Sequence, residues 1–270
     1  MKLLNVWNFL LDLKLAIKLA FLPTLKDVLR SPSLLFHPRG ISRQFMSYVW
    51  NAYGDGVDTN SGPVKKSLIT PYAKGVVLDL GAGHGHTVNH LDHSKVNKYI
   101  ALEPNVLMHP HIRTLAQKAG FTESEGTLQI LPYGIEDLSS IVSALGGSPR
   151  CVDTIISILT LCSIPEPERT LRGLLEVVLK PGGQFLYYEH VLNSREDVAW
   201  WQRFLTPVWA AAFDGCRLDR PTHVWVEKMD DIWAENGEGE DAENRKVWGV
   251  EGEDVESMFW HRIGRYVKRS

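Results

Sequence analysis

VVLDLGAGHGHTVNHLDH, residues 76–93, is the stretch on which the fold turns. An apolar run, Val76 to Leu80, leads straight into Gly81, Gly83 and Gly85, and the spacing then predicts a helix from about Gly85 to Leu91. Residues without Cβ allow both a tight turn and a close approach of backbone to a nucleotide-like ligand, and a helix start adds free N–H groups. The stretch also holds His84, His86, His90 and His93, four of the ten histidines. On helix geometry His86 and His90 share a face, with His93 one turn on, a pattern that can hold metal. No neighbouring cysteine completes such a site, so no metal is expected and these histidines read as solvent-facing or substrate-adjacent.

Downstream the pattern alternates. Strands are expected at 76–80, 99–103, 127–131, 152–161 and 183–190, with helical stretches between them, such as VLMHPHIRTLAQKAG, closed by Gly120, and EPERTLRGLLEVVLK, closed by Pro181-Gly182-Gly183. Alternating strand and helix make a mainly parallel sheet covered by helices on both faces, an α/β fold of the doubly wound, Rossmann-like type. Past His190, VAWWQRFLTPVWAAAF reads as an amphipathic or largely buried helix, followed by a turn at Asp214 to Cys216. Between 227 and 256 twelve acidic residues face three basic ones, and AENGEGEDAEN (234–244) has the composition of a solvated loop, so the segment reads as a flexible acidic insertion rather than a partner-binding patch.

The chain's 270 residues and 44% hydrophobic content are enough for one sizeable domain with an appendage. A net charge of −3 lacks the basic footprint of a nucleic-acid binder. Cys151, Cys162 and Cys216 are odd in number and widely spaced, forming neither a metal knuckle nor a secretory disulfide framework, which fits a reducing, cytoplasmic setting. The N-terminal MKLLNVWNFLLDLKLAIKLAFLPTL is apolar but interrupted by Asp12, Lys14 and Lys18, too charged to span a bilayer or to serve as a signal peptide. Residues 1–60 are therefore expected to form a helical lid or a membrane-surface element, and 61–270 the main domain. No signal for an oligomeric state is present.

Two details separate the possible cofactors. A dinucleotide fingerprint would place a third glycine at 86, where His86 stands, and Glu103 follows the second strand, where a carboxylate can accept bonds from both ribose hydroxyls. Asp79 would lie beneath the ligand's amino-acid end. LDLGAGHG and ALEP together resemble motifs one and two of class I S-adenosylmethionine-dependent methyltransferases. That resemblance implies a seven-stranded sheet, S-adenosylmethionine as cofactor, and Asp79, Gly81, Gly83, Gly85, Glu103, Pro104 and Leu159 along its binding site. It places LPYGIEDL at the adenine, where Gly134 replaces a frequent acid and leaves the Ile135 backbone or Glu136 as substitutes.

TLCS (160–163), LKPGGQFLYYEHV (179–191), WWQRFLTPVWAAAFDGCRLDR (200–220) and HRIGRYVK (261–268) more sharply resemble the methyltransferase-like seven family. These are thiol S-methyltransferases that act on small alkyl or aryl thiols and associate with endoplasmic-reticulum or lipid-droplet membranes. The likeness implies a small lipophilic thiol acceptor and peripheral contact with the cytosolic face of such membranes. The N-terminal segment is more charged than that family's anchor, and the acidic segment has no counterpart there. A thiolate is available near neutral pH, whereas a hydroxyl needs a stronger base. His190, at the end of the fifth strand, is the candidate catalytic base or else a structural histidine, and Asp214 either orients it or the substrate, or forms a turn or caps a helix. Cys162, Trp201, Trp209 and Phe213 either wall the acceptor pocket or pack the core. O- or N-methylation of a small natural product, or cofactor binding without methyl transfer, are the alternatives.

Overall fold

The computed structural model describes residues 3–237 and 243–270. Five parallel strands, β1 (Gly75–Leu80), β2 (Val96–Leu102), β3 (Leu128–Leu131), β4 (Val152–Ile158) and β5 (Leu179–Val191), are joined at one edge by β6 (Arg245–Trp248) and β7 (Trp260–Val267). The order is β3-β2-β1-β4-β5-β7-β6, with β7 antiparallel to both neighbours. The chain fills the sheet from β1 to β3 in one direction, then crosses to β4 on the other side of β1. That reversal opens a crevice outside the carboxyl ends of β1 and β4, where ligands of open α/β sheets bind.

β1 is central and buried on both faces, so its sequence is apolar without alternation. Leu78 and Leu80 face a core shared with Ile155, with Ile141 of α4 (Leu138–Ala144) and with Leu171 and Leu174 of α5 (Pro167–Val177). Val77, pointing the other way, packs with Leu68 and Ile69 of α2 (Pro38–Ile69) and with Ile112 and Ala116 of α3 (His109–Lys118). A third core lies off the sheet, where Phe9, Ala16 and Ala20 of α1 (Leu3–Arg30) and Val49 of α2 meet Trp209 and Phe213. Trp209 belongs to α6 (Glu196–Ala212), and Phe213 follows it directly. The α1–α2 pair is tied by Asp27, whose carboxylate accepts from Tyr48 Oη at 2.5 Å and from Gln44 Nε2 at 2.7 Å.

Several elements depart from the expected ones. The helix anticipated over 85–91 is a single 3₁₀ turn, His86–His90, because Gly85 enters it left-handed and Leu91 leaves it extended. β4 stops at Ile158 instead of 161, since Leu159 takes a left-handed backbone with φ 55°. β5 begins at Leu179 and carries Pro181 through an irregularity in its register with β4, the place in a strand where proline is tolerated. The boundary expected at residue 60 falls inside α2.

The acidic segment 227–256 is not the solvated insertion its composition implies. Trp233 within it is completely buried, packed against Tyr266 at 5.0 Å and stacked on Phe185 at 6.2 Å, and β6 forms the sheet's edge. Its indole Nε1 donates to the Val226 carbonyl of α7 (Thr222–Glu227) at 2.8 Å. Residues 238–242 of the anticipated loop lie outside the described residues. Trp233→Ala should lower the unfolding free energy by about 3–5 kcal/mol, the usual consequence of emptying a large aromatic site. A urea titration in which the variant matches wild type would mean that the segment is dispensable to the core.

Candidate active site at the sheet's switch point

The glycine turn leaves β1 with Gly81, Gly83 and Gly85 all at positive φ (59°, 56° and 86°), conformations that a side chain would strain. A Cβ at Gly81 would also run into Thr160, whose Oγ1 donates to the Leu80 carbonyl at 2.8 Å. The loop after β4 thus sits directly against the glycine turn. From the other side, Glu103 closes the turn: its Oε2 accepts from the Gly83 amide and its Oε1 from the Asn105 amide, both at 2.8 Å. Burial raises the Glu103 carboxyl to about 7, against the pull of those two amides. Asp79, one strand residue before the turn, accepts from Tyr99 Oη at 2.7 Å, and burial raises it to about 6.

α2 forms the roof. Trp50 reaches Gly83, where a Cβ would stand 3.0 Å from the indole Nε1. One turn on, Asp55 meets His86 Nε2 at 2.8 Å, and Asp58 meets both His90 Nε2 at 3.1 Å and Lys65 Nζ at 2.7 Å. Burial raises Asp58, but bonds from His90 and Lys65 carry its carboxyl well below the usual range. Of the two readings of these histidines, the solvent-facing one is corrected for His84 and His86, which are buried beside the glycine turn, and His86 and His90 pin α2 to it. His84 stacks on His111 at 4.0 Å, and burial lowers it to about 4, so it is neutral at physiological pH.

Buried polar atoms without partners collect at this place. Trp50 Nε1, Asp79 Oδ1 and His84 Nε2 all belong to residues at the glycine turn or directly over it. Interiors rarely leave such groups unmatched, and several in one region point to a bound polar ligand. A backbone cradle that no Cβ could enter, a carboxylate at the end of β2 and this unmet demand together fit an adenosyl cofactor carrying an amino acid. Of the other residues expected here, Pro104 follows Glu103 half-buried, and Leu159 donates its amide to the Tyr188 carbonyl at 2.8 Å. The Ile135 side chain is in the core, leaving only its backbone for a ligand, and Glu136 is exposed.

Beyond the cradle, the carboxyl ends of β4 and β5 bring Cys162, His190 and Cys216 together. Cys216 Sγ lies 3.4 Å from both Cys162 Sγ and His190 Nε2, and accepts from Trp209 Nε1 at 3.4 Å. Trp209 stacks on Phe213 at 3.9 Å, Phe9 packs on Trp209 at 4.7 Å, and Phe259 meets His190 edge-on at 5.6 Å. Trp201 is half-buried against the same core but turns toward Trp200 and Phe204 instead of the thiols. Of the readings of Asp214, the turn-forming one is realised, and its carboxylate is not paired with His190. Asp214 sits left-handed in its turn, its carboxylate lies 3.5 Å from Arg43 Nε, and its backbone amide donates to Ser42 Oγ at 2.9 Å.

Sequence reasoning missed the supports of this cluster. Glu189, fully buried, accepts on one oxygen from Ser157 Oγ and from the amides of Thr160 and Leu161, at 2.8, 2.9 and 3.2 Å. Arg220 donates to the carbonyls of Leu161 and Ile164, both at 2.7 Å. Together they hold the post-β4 loop that presents Cys162. A carboxylate inside an apolar β5 was the available signal; Trp50, Asp55 and Asp58 of α2 offered none beyond helical spacing.

An open sheet in this order, with a glycine cradle after its first strand and an acid after its second, defines a class I S-adenosylmethionine-dependent methyltransferase. The profile of the methyltransferase domain family matches residues 52–237, and the chain belongs to that family. It is 41% identical to human thiol S-methyltransferase TMT1A over 80 residues, 28% of this chain and 32% of that one. With human thiol S-methyltransferase TMT1B it is 28% identical over 158 residues, 58% of this chain and 60% of the relative. The matches thus span from a third to three-fifths of these relatives' length. Among solved structures, the fold is shared with geranyl diphosphate methyltransferase bound to sinefungin (TM-score 0.52, 11% identity, 79% of this chain and 77% of that one). It is also shared with a chain of the Haloferax volcanii complex of the Trm112 activator with a methyltransferase (TM-score 0.55, 17% identity, 82% and 96%).

The raised carboxyls have a consequence for stability. Glu103 keeps its proton to about pH 7 when folded but releases it near 4.5 when unfolded, so the folded state holds more protons between those values and loses stability as pH rises through them. From pH 5 to 7.5 wild type should lose about 2–3 kcal/mol relative to Glu103→Gln, which cannot ionise. Denaturant titrations at the two pH values give the comparison; parallel pH dependences would contradict the burial of an ionisable carboxyl here.

Proposed function

We propose that this enzyme methylates the sulfur of a small lipophilic thiol. The observation that carries the reading is the setting of His190: its Nε2 faces sulfur, and Asp214, the carboxylate nearest in sequence to the thiols, is turned to Arg43. No carboxylate is bonded to the free Nδ1 of this imidazole to orient it as the general base that an alcohol would need. A thiol, with a pKa near 8.5, ionises appreciably by itself near neutral pH and asks for less. The names of the curated relatives support the same acceptor.

S-adenosylmethionine supplies a sulfonium methyl group that a nucleophile attacks in line. In this reading the protein's contribution is placement and exclusion of water. Glu103 accepts the ribose hydroxyls and the glycine turn lets backbone approach the amino-acid end, while Trp50 covers the turn from α2. Trp209 and Phe213 present an apolar wall to the acceptor, with the thiols and imidazole as its polar spot. The test is mass-spectrometric detection of methyl transfer from labelled S-adenosylmethionine onto matched thiols, phenols and amines. A thioether as the main product is expected; products only on oxygen or nitrogen would overturn the thiol assignment.

The same reading includes a peripheral place on the cytosolic face of endoplasmic-reticulum or lipid-droplet membranes. No described helix is long and apolar enough to cross a membrane. α1 nevertheless exposes Trp7 and Leu22, the 3₁₀ turn after it exposes Phe36 at 84%, and α6 exposes Trp200, Phe204 and Val208, spaced one turn apart. Apolar side chains turned outward on neighbouring helices, beside Lys14 and Lys18 of α1, suit an interfacial mode of binding. Flotation with phosphatidylcholine–phosphatidylserine vesicles should carry the protein up, and Phe36→Glu with Phe204→Glu should reduce the floated fraction several-fold. Equal distribution with and without vesicles would remove the membrane role.

A further inference from the structure

We propose that Cys162, His190 and Cys216 form a three-ligand site for a soft closed-shell metal ion of the Zn²⁺ type, whose fourth position takes the acceptor's thiolate. The second half of this statement rests on the thiol reading above; the first does not.

Each of the three residues offers one ligand atom, and these atoms lie within 4.8 Å of one another. Tetrahedral zinc, with Zn–S near 2.3 Å and Zn–N near 2.0 Å, sets its ligand atoms about 3.5–3.8 Å apart. Cys216 Sγ is already 3.4 Å from both partners, so a metal needs only a small spreading of the cluster. Two thiolates and an imidazole are a donor set that selects zinc-like ions over hard cations. Cys162 is 98% buried and His190 95% buried, and the other ring nitrogen of His190, Nδ1, is buried without a partner, so the imidazole's only polar neighbours lie through Nε2. Cys216 is half-buried, leaving one side of the cluster approachable.

The supports resemble those of a metal site as well. Trp209 Nε1 donates to Cys216 Sγ, which steadies sulfur in its thiolate form, and Glu189 and Arg220 lock the loop carrying Cys162. Three protein ligands and an open position mark a reactive rather than a structural zinc site. The cluster is also next to the cofactor cradle along two strands of argument. Cys162 is two residues from Thr160, which touches Gly81, and Cys216 is two residues from Asp214, whose charge bears on Glu103.

The chemistry balances. The two cysteines lose their protons to solvent when the ion binds, and the acceptor thiol loses a third when it takes the open position. A sulfur lone pair of that thiolate then forms the bond to the methyl carbon as the sulfonium's carbon–sulfur bond breaks. The products are a neutral thioether, a weaker ligand that leaves, and S-adenosylhomocysteine. A metal would thereby do for the acceptor what His190, lacking a carboxylate partner, cannot.

The full chain, prepared anaerobically and dialysed against metal-free buffer after exposure to zinc, should retain equimolar zinc by elemental mass spectrometry. Cys162→Ala, His190→Ala and Cys216→Ala should each lower zinc affinity tenfold or more, with circular dichroism and calorimetric S-adenosylmethionine binding showing that they remain folded. Cobalt substitution should produce sulfur-to-metal charge-transfer absorption in wild type, and ethanethiol should alter the visible bands. No equimolar zinc in wild type, zinc retained by the variants, or a Cys162–Cys216 disulfide in the anaerobic protein would each overturn the site. Zinc bound but cobalt bands indifferent to ethanethiol would overturn the fourth-position assignment. Equimolar zinc with methyl transfer only to oxygen or nitrogen would overturn the thiol reading and leave the metal site standing, whereas thioether formation at full rate by zinc-free protein would leave the thiol reading standing and overturn the fourth-position assignment.

Discussion

The hydrogen bond from the Gly83 amide to the Glu103 carboxylate joins the ends of the first two strands, and the rest of the crevice is arranged around it. For that bond to form, the chain must leave β1 through a left-handed turn, which requires glycine, and the carboxylate must be buried, which raises its pKa. Both have a cost: glycine loses more backbone freedom on folding than any other residue, and burial disfavours the charged carboxylate. They are tolerated because the hydrophobic cores on either face of β1 over-determine the positions of the strands that carry them. A turn that only glycine can make, beside a buried and partly protonated acid, is what a site looks like when its geometry is set for a ligand instead of for its own stability.

The second constraint is the roof. α2 starts in the third core with α1 and α6 and ends against the sheet with Leu68 and Ile69, so it bridges the sheet and the aromatic side of the crevice. Along the way its acids take hold of His86 and His90. The lid is therefore part of the domain's packing, and the helices that expose apolar side chains outward, α1 and α6, are those that α2 packs against in the third core.

Much of this was legible in the residues. The apolar run 76–80, the alternating glycines and Glu103 announced the strand, turn and acid in order, because each depends on local rules: burial on both faces, positive φ, and a carboxylate at a strand's end. Where local rules competed with tertiary ones, reading along the chain went astray. The acidic segment looked solvated by composition, yet Trp233 in it fills a hole between Phe185 and Tyr266, and one aromatic outweighs many charges when those charges can remain at the surface. The histidines of 84–90 looked exposed because nothing nearby in sequence could pair with them; their partners, Asp55 and Asp58, stand some thirty residues earlier.

By itself, then, the sequence determined the α/β class, the place of the cofactor cradle and the acid that closes it, since these rest on contacts between neighbours along the chain and on conformations that only glycine adopts freely. Only the tertiary structure decided what the cysteines do. Cys162 and Cys216 are separated by two helices and a strand, and with Cys151 they were an odd, scattered set in the chain. Crossing from β4 to β5 and returning through α6 brings their sulfur atoms to 3.4 Å, with His190 beside them. No spacing rule anticipates such a meeting, because its geometry is set by how strands pair and helices cross, and those arrangements are fixed by buried surfaces far from the three residues that benefit.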